Sequence, residues 1–285
     1  MEPAEEKNIA ILCNALAGAG AAVPMTKKIA DALLVANINH TLFDETWPKQ
    51  FDGFSDIFIV GGDGTLNYFI NHYPVIHLPL VLFKGGTGND FHWLLYGDQT
   101  LDEQLQIALN AKPKPIDVGK CNAHYFINGL GIGFEGAVVK DLSGKKKRLG
   151  KASFFISILK NIFTCRSKYY TVESAERSLH GKMFLVDISN GRRAGGGFYI
   201  APEAKADDGL LDVVIADALH PIQRLFYLPV IEKGKHLHLP FIHHYHTKQI
   251  TITCEELVPY HLDGEYGEAK VFNIEILPGA LNFRY

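Results

Sequence analysis

Two glycine-rich segments each follow an apolar run and carry carboxylates. Gly61-Gly62-Asp63-Gly64-Thr65 ends the run IFIV, and Gly85–Asp90 (GGTGND) ends the run LVLFK. Glycines at the carboxyl end of a buried strand let backbone N–H groups approach a phosphate, and the N-terminus of the following helix adds partial positive charge. Because the carboxylate of Asp63 would repel phosphate unless a cation lay between them, we expect Mg²⁺ there. The two segments together predict a composite polyphosphate site.

Each motif also has a plainer interpretation. Gly-Gly-Asp-Gly alone is equally typical of a tight strand-to-helix turn with Asp63 as N-cap. Neither segment matches the G-x-x-x-x-G-K-[ST] phosphate loop. Gly131–Gly136 (GIGFEG) does fit G-x-G-x-x-G, but the basic run Lys145–Arg148 follows where a dinucleotide site needs a second strand and an acidic residue. We therefore set the dinucleotide interpretation aside.

The pattern of apolar residues predicts two domains. Over roughly the first 115 residues, strands alternate with helices, which is typical of a doubly wound α/β domain. The predicted strands are 8–13, 40–45, 56–62 and 78–86, and the predicted helices include 66–73, 89–95 and 101–110. After Lys112-Pro113-Lys114-Pro115 the chain becomes mainly strand-like, with helical stretches near 137–165 and 220–235, and predicts an antiparallel β domain. Strands are expected at 117–122, 124–134, 169–174, 182–190, 197–202, 210–217, 249–254 and 271–277.

Composition excludes several classes of protein. The 285 residues are 47% hydrophobic and 21% charged, and the net charge of −3 gives no global basic field for nucleic acid. The four cysteines lie far apart and form no C-x-x-C pair, which favours a reducing compartment. The acidic N-terminus does not fit a signal peptide, and no apolar stretch is long enough to span a bilayer. We expect a cytoplasmic protein of unknown oligomeric state.

The order of motifs along the chain resembles the catalytic domain of the diacylglycerol kinase and sphingosine kinase family, and is most similar to the bacterial soluble lipid kinases. The motifs are GGDGT, GGTGNDF, Asp117-Val118-Gly119 with FINGLGIGF, SNGRRAGGG at 189–197, ADDGLLD at 206–212, LDGE at 262–265 and NIEILPGAL. The resemblance implies an α/β plus β fold. An N-terminal ATP-binding domain (1–117, with 280–285 returning to it) would precede a β-sandwich-like lipid-substrate domain (118–279), with the active site in the cleft between them.

The resemblance also assigns residues to roles in an ATP- and Mg²⁺-dependent lipid kinase of phospholipid metabolism. Asp263 would be the general base on the lipid hydroxyl, with Glu265 close to the metal and Asp63 near the catalytic Mg²⁺. A separate structural Mg²⁺ would take the backbone oxygens of Lys205 and Leu210 and the carboxylate of Asp208. The nucleotide-binding residues would be Asn14, Thr46, Gly61, Gly62, Asp63, Gly64, Thr65, Gly86, Thr87, Gly88, Asn89 and Asp90.

Some residues depart from the family pattern. The first loop is usually Asn-Pro-x-Ser-Gly but reads Asn14-Ala15-Leu16-Ala17-Gly18 here, glutamate is usual where Tyr68 stands, and leucine is usual where Gly85 stands. By spacing alone, Asp263-Gly264 is typical of a hairpin turn, and only the resemblance makes Asp263 a base. The alternatives are an NAD kinase, whose second Asn-Glu motif is absent, and a nucleotide-binding regulatory protein with impaired catalysis.

Two further segments are candidates for binding. Residues 140–163 join the basic run Lys145–Arg148 to a very apolar helix, which is either a surface loop with a core helix or a lip that contacts anionic lipid headgroups at the inner face of the membrane. His236, His238, His243, His244 and His246 cluster in sequence, and alternate residues of a strand share a face. Because few acidic residues lie near them in sequence, we interpret these histidines as a solvated rim rather than a metal site.

Overall fold

The computed structural model describes residues 7–143 and 150–285. The chain divides into two compact units. The first holds the described residues up to Ile116 together with Gly279–Tyr285, and the second holds Asp117–Pro278. The fold is of the α/β plus β class that the sequence predicts.

The first unit is built on a parallel sheet. Its strands are β1 (Asn8–Cys13), β2 (Asn39–Phe43), β3 (Asp56–Gly61) and β4 (Leu80–Lys84), in the spatial order β4-β3-β1-β2. Its helices are α1 (Ala22–Val35), α2 (Asp63–His72), α3 (Asp90–Tyr96) and α4 (Leu101–Asn110), and a short 3₁₀ turn spans Ala17–Gly20. Every residue of β3 is buried, as the uniformly apolar run predicts for a central parallel strand.

The end of the chain belongs to this first unit. Phe283 pairs in parallel with Leu80 of β4. The Arg284 guanidinium donates to the buried carboxylate of Asp56, and its backbone carbonyl accepts from the Tyr96 hydroxyl at 2.8 Å. A buried carboxylate needs such pairing because an isolated charge would lose its hydration.

The second unit is antiparallel. Its strands are β5 (Pro113–Cys121, of which residues from Asp117 onward lie here), β6 (His124–Phe126), β7 (Gly129–Gly133), β8 (Lys168–Ser174), β9 (Ser178–Ser189), β10 (Leu211–Asp217), β11 (Ile242–Thr247), β12 (Gln249–Leu262) and β13 (Glu265–Arg284, of which residues up to Pro278 lie here). The pairing runs β11-β10-β9-β7-β12-β13, and β8 also pairs with β9 and β12. Three helices join them: α5 (Phe134–Leu142), α6 (Gly150–Thr164) and α7 (Pro221–Glu232).

Three expectations for local structure were wrong. Helix α2 begins at Asp63 and not near Leu66, because the extended Gly62 caps it and the Gly62 carbonyl accepts from the amides of Thr65 and Leu66 at 2.9 and 3.1 Å. The stretch 124–134 is two strands, β6 and β7, and not one. Residues 197–202 form a loop with a single bridge between Ala194 and Phe198, because the glycines before them have positive φ and turn the chain.

The G-x-G-x-x-G match at Gly131–Gly136 has no role in a dinucleotide fold. It does join a strand to a helix, but β7 pairs antiparallel with both β9 and β12, so no parallel βαβ unit follows. A Cβ on Gly136 would overlap the backbone of Pro259, which explains the glycine by packing. Among the described helices, none is both long and apolar enough to cross a membrane.

Candidate active site

The two glycine segments of the first unit lie against each other. They follow the neighbouring parallel strands β3 and β4, and the Gly85 amide donates to the Gly61 carbonyl at 2.8 Å. A Cβ on Gly62 would lie 2.8 Å from the Cα of Gly86, a separation that real Cβ atoms do not show. The glycines are therefore required first by the close packing of one loop on the other. That packing brings the N-termini of α2 and α3 to the same edge of the sheet.

Asn89 closes the second glycine loop. Its side chain accepts from the Gly86 amide at 2.9 Å and donates to the Gly86 carbonyl at 2.8 Å, and its backbone is left-handed with φ of 56°. Asparagine tolerates this conformation better than most residues. Thr87 and Gly88, between these anchors, are exposed to solvent. Exposed loop backbone beside a helix N-terminus is the kind of surface that binds anions.

Asp63 caps the neighbouring helix. Its two carboxylate oxygens accept from the backbone amides of Asp90 and Phe91, at 3.0 and 2.9 Å. The side chain of Asn89, the formal N-cap of α3, is engaged with Gly86, so Asp63 of α2 supplies the acceptor that α3 needs. As a helix cap, Asp63 was predicted for its own helix α2 and not for α3. A carboxylate oxygen can accept more than one hydrogen bond, so capping α3 and accepting from a metal-bound water are compatible roles.

The first loop of the unit packs on these segments. The Asn14 side chain donates to the Thr65 hydroxyl at 2.9 Å and accepts from the Leu16 amide at 3.1 Å. Thr65 is buried, so its hydroxyl serves the loop contact with Asn14. Thr46 is exposed beyond β2, next to Trp47, whose ring lies 5.6 Å from that of Tyr68. Of the predicted nucleotide residues, all except Thr46 are in the loops, strand ends and first helical turns at this edge.

Asp263 occupies a tight hairpin turn in the second unit. Asp263 (φ 49°) and Gly264 (φ 90°) join β12 to β13, with Leu262 opposite Glu265. Two successive residues of positive φ define the type I′ turn that Asp-Gly favours. The turn interpretation of this dipeptide is therefore correct as geometry. Glu265 is the exposed first residue of β13.

The carboxylate of Asp263 holds a second loop in place. It accepts from the amides of Ile127, Asn128 and Gly129 at 2.8, 2.8 and 2.9 Å, and its own amide donates to the Gly129 carbonyl at 3.0 Å. Such charge-assisted hydrogen bonds are the strong ones in proteins. From the other side, the amides of Asn190 and Gly191 both donate to the Asn128 carbonyl at 2.8 Å. The SNG motif and the LDGE motif thus fix the same loop.

A buried group of titratable side chains, which sequence reasoning missed, lies behind this turn. His261 of β12 and Asp187 of β9 are buried, the side chain of Glu135 of α5 is 11% exposed, and the Ser189 hydroxyl donates to Asp187 at 2.6 Å. The Gly264 amide donates to His261 Nδ1 at 3.2 Å, so the neutral imidazole carries its proton on Nε2, 3.4 Å from Glu135 Oε2. The signal available in the sequence was the i, i+2 spacing of His261 and Asp263.

Burial sets the protonation of this group. It raises the pKa of Glu135 to about 7 and the pKa of Asp187 well above its usual value, the latter further raised by the charge of Glu135. It also lowers the pKa of His261, against the opposing charges of Asp187 and Asp263. Because the charge of Glu135 disfavours ionisation of Asp187, burial and mutual repulsion both favour a proton on one of the two carboxyls. The group therefore keeps a proton near neutral pH.

The loop before β10 carries the residues assigned to a structural Mg²⁺. Asp208 Oδ1 accepts from the Leu210 amide at 3.1 Å, and Asp117 Oδ2 accepts from the Gly209 amide at 2.7 Å. Partial burial raises the pKa of Asp208, and the nearby charges of Asp212 and Asp117 raise it further. Like charges brought this close favour a cation between them, and the donors are the oxygens that Mg²⁺ prefers. The residues present fit this ion.

The basic run Lys145–Arg148 lies outside the described residues. The described part of the adjoining helix α6 is apolar on more than one side, with Phe155, Ile156 and Phe163 about half exposed or more (46%, 61% and 57%). Helix α7 packs on α6 and also exposes large side chains, Ile222 at 69% and Phe226 at 73%. The second unit therefore presents apolar side chains on two contacting helices.

Comparison with known proteins gives a family for both units. Residues 8–121 match the diacylglycerol kinase catalytic domain, and residues 129–284 match the YegS C-terminal NAD kinase beta sandwich-like domain. A "Probable lipid kinase YegS-like" protein of Yersinia enterocolitica is 32% identical over 237 residues, which cover 79% of this chain and 76% of that one. The "Diacylglycerol kinase" of Bacillus subtilis is 27% identical over 220 residues, covering 75% of this chain and 72% of that protein.

Solved structures agree on the fold. Two crystal structures from Bacillus anthracis, one of them described as a diacylglycerol kinase, match with TM-scores of 0.80 and 0.74 at 24% and 22% identity. Each comparison covers 99% of this chain and 98% of the other. With the glycine loops, the Asp-Gly turn and the two domain matches in agreement, the chain belongs to the lipid kinase family that joins a diacylglycerol kinase catalytic domain to a YegS-type β-sandwich-like domain.

Proposed function

We propose that this lipid kinase uses ATP and Mg²⁺ to transfer the γ-phosphoryl group to a hydroxyl of diacylglycerol or a related lipid. The observation that supports it most is the packing of two glycine loops at the ends of β3 and β4, with the N-termini of α2 and α3 beside them. Phosphoryl transfer depends mainly on positioning the phosphates and stabilising their charge, and backbone amides at helix N-termini do both. Bound Mg²⁺ would neutralise phosphate charge.

Each unit has its own part in this proposal. In the first unit, the solvent-exposed backbone of Gly64, Thr87 and Gly88 would bind the phosphates, and Asp63 would accept from water in the Mg²⁺ shell. In the second unit, Asp263 would accept the proton of the lipid hydroxyl. The hydrogen bonds from the 127–129 loop fix the Asp263 carboxylate in one orientation, which a general base requires.

The decisive experiment incubates purified protein with γ-labelled ATP and a panel of diacylglycerol, long-chain bases and NAD. We expect label in a lipid, lost on chelation of Mg²⁺. Label in NAD alone would indicate an NAD kinase, and nucleotide binding without transfer to any acceptor would indicate a regulatory protein.

Asp263→Asn is the informative variant for the base. Asp263 Oδ1 accepts two of the amides and Oδ2 the third, so an asparagine oxygen in the Oδ1 position keeps two of the bonds. Loss of a general base costs roughly 10²–10⁴ in rate. A folded variant with unchanged turnover would refute the assignment.

We also propose that the enzyme takes its lipid from a membrane surface through the exposed apolar side chains of α6 and α7. Apolar side chains that enter the interface add affinity in proportion to their buried area. Replacing Ile156 and Phe226 by serine should weaken sedimentation with anionic vesicles. The matched control replaces Leu34 and Val35 of α1, which are 69% and 84% exposed in the other unit. Equal sedimentation of both variants would exclude this surface.

A further inference from the structure

Three side chains outside the kinase site come together on the outer strands of the second unit. Asp212 of β10 lies with His244 and His246 of β11, and one ligand atom from each lies within 4.8 Å of the others. His244 Nε2 is 3.1 Å and His246 Nε2 is 3.2 Å from Asp212 Oδ1. The proposed phosphoryl transfer assigns no role to either histidine.

The register of the two strands produces the cluster. In the antiparallel pairing, Asp212 is directly opposite His246, and His244 is opposite Val214. Alternate residues of a strand share a face, so His244 and His246 both project toward Asp212. The acidic partner is about thirty positions away in sequence, which is why the spacing of the histidines alone favoured a solvated rim.

The separations suit a metal ion. Zn²⁺ binds imidazole nitrogen and carboxylate oxygen at about 2.0–2.2 Å, so two ligand atoms on a tetrahedral ion lie roughly 3.3 Å apart. The measured 3.1 and 3.2 Å are close to that value. Asp212 is 1% exposed, whereas the His246 side chain is 41% exposed, so the carboxylate side of the cluster is buried and the His246 side is open to solvent. Three protein ligands with one open position is a common zinc arrangement.

The buried carboxylate of Asp212 also favours a cation at this cluster. A buried carboxylate must be compensated by a cation or by hydrogen bonds. Here both imidazole Nε2 atoms face one carboxylate oxygen, so they either donate their protons to it or bind a cation beside it with those protons released.

We propose that Asp212, His244 and His246 form a binding site for a divalent transition-metal ion of the zinc class. Imidazole ligands suit zinc, copper or nickel, whereas the carbonyl and carboxylate oxygens of Lys205, Asp208 and Leu210 suit Mg²⁺. The two neighbouring sets therefore favour different ions. This proposal does not rest on the proposed kinase function.

The chain provides a matched control for a test. His243 is next to His244 on β11 but projects to the opposite face, with Nε2 at 3.2 Å from both carboxylate oxygens of Asp217. Replacing it by alanine removes one imidazole and one carboxylate contact, as His246→Ala does, and leaves the cluster intact. Because His246 is exposed, its replacement should not disturb the core.

The experiment is calorimetric titration of the chelator-treated, untagged full chain with ZnCl₂. We expect one equivalent bound by wild type and by His243→Ala, at least tenfold weaker binding by His246→Ala, and proton release on binding. Absence of stoichiometric binding, or equal binding by the two variants, would overturn the proposal. So would displacement of zinc by millimolar Mg²⁺. Should His246→Ala be unstable, the Co²⁺ spectrum of wild type decides: strong visible bands support a nitrogen-rich four-coordinate site, and a pale octahedral spectrum contradicts it.

Discussion

Replacing Asp263 by alanine should release the 127–129 loop. The carboxylate accepts three backbone amides at 2.8–2.9 Å, and each hydrogen bond to a charged group contributes about 1.5–3 kcal/mol. Since Asp263 itself is only partly buried, water can enter when its carboxylate is removed and replace some of these bonds, and we expect a net loss of about 4 kcal/mol. Alanine in the left-handed backbone conformation of this position (φ of 49°) adds about 1 kcal/mol to the loss of stability.

The exchange rates of individual backbone amides test this prediction. A loss of about 4 kcal/mol corresponds to roughly thousandfold faster exchange when opening is local. We therefore expect the amides of Ile127, Asn128 and Gly129 to exchange faster by that order in the alanine variant. Asp263→Gly is the control for the backbone term, because glycine accepts positive φ without cost, and it should be about 1 kcal/mol more stable than the alanine variant. If these amides kept wild-type protection in both variants, the structural role assigned to the carboxylate would be wrong.

Three other changes test the structure. Gly62→Ala, whose methyl would lie 2.8 Å from Gly86, should cost about 1–3 kcal/mol and weaken ATP binding in a titration, whereas Gly181→Ala, with no heavy atom within 4 Å, should change neither. Because burial raises the pKa of Glu135 to about 7, its stabilising contribution is complete at low pH and is lost as pH rises through 7. The melting temperature of wild type should therefore fall relative to that of Glu135→Gln between pH 5 and pH 8, and parallel curves would contradict the raised pKa. Tyr68 is 51% exposed, so Tyr68→Glu should change the free energy of unfolding by no more than about 1 kcal/mol. If the glutamate usual at this position contacts the nucleotide, the variant should bind ATP more tightly in a titration. Unchanged ATP affinity would show that position 68 is not part of the nucleotide site.

The local sequence determined most elements. Uniform apolar runs such as NIAILC and DIFIVG specify buried parallel strands, because only a strand covered on both faces can bury every residue. Glycine loops after two adjacent strands predict the anion site that we propose for the first unit, and Asp-Gly specifies the hairpin at Asp263. These signals are short-range, so they can be read without knowing what packs against them.

What only the tertiary structure decided is which distant groups meet. Asp63 caps α3 because the neighbouring strands β3 and β4 bring the two helix N-termini together. The carboxyls of Glu135 and Asp187 hold a proton because three separate elements bury them with His261. His244 and His246 lie beside Asp212 because of the register in which β10 and β11 pair. Protonation and metal affinity depend on distances between side chains and on burial, and neither quantity is set until the chain has folded.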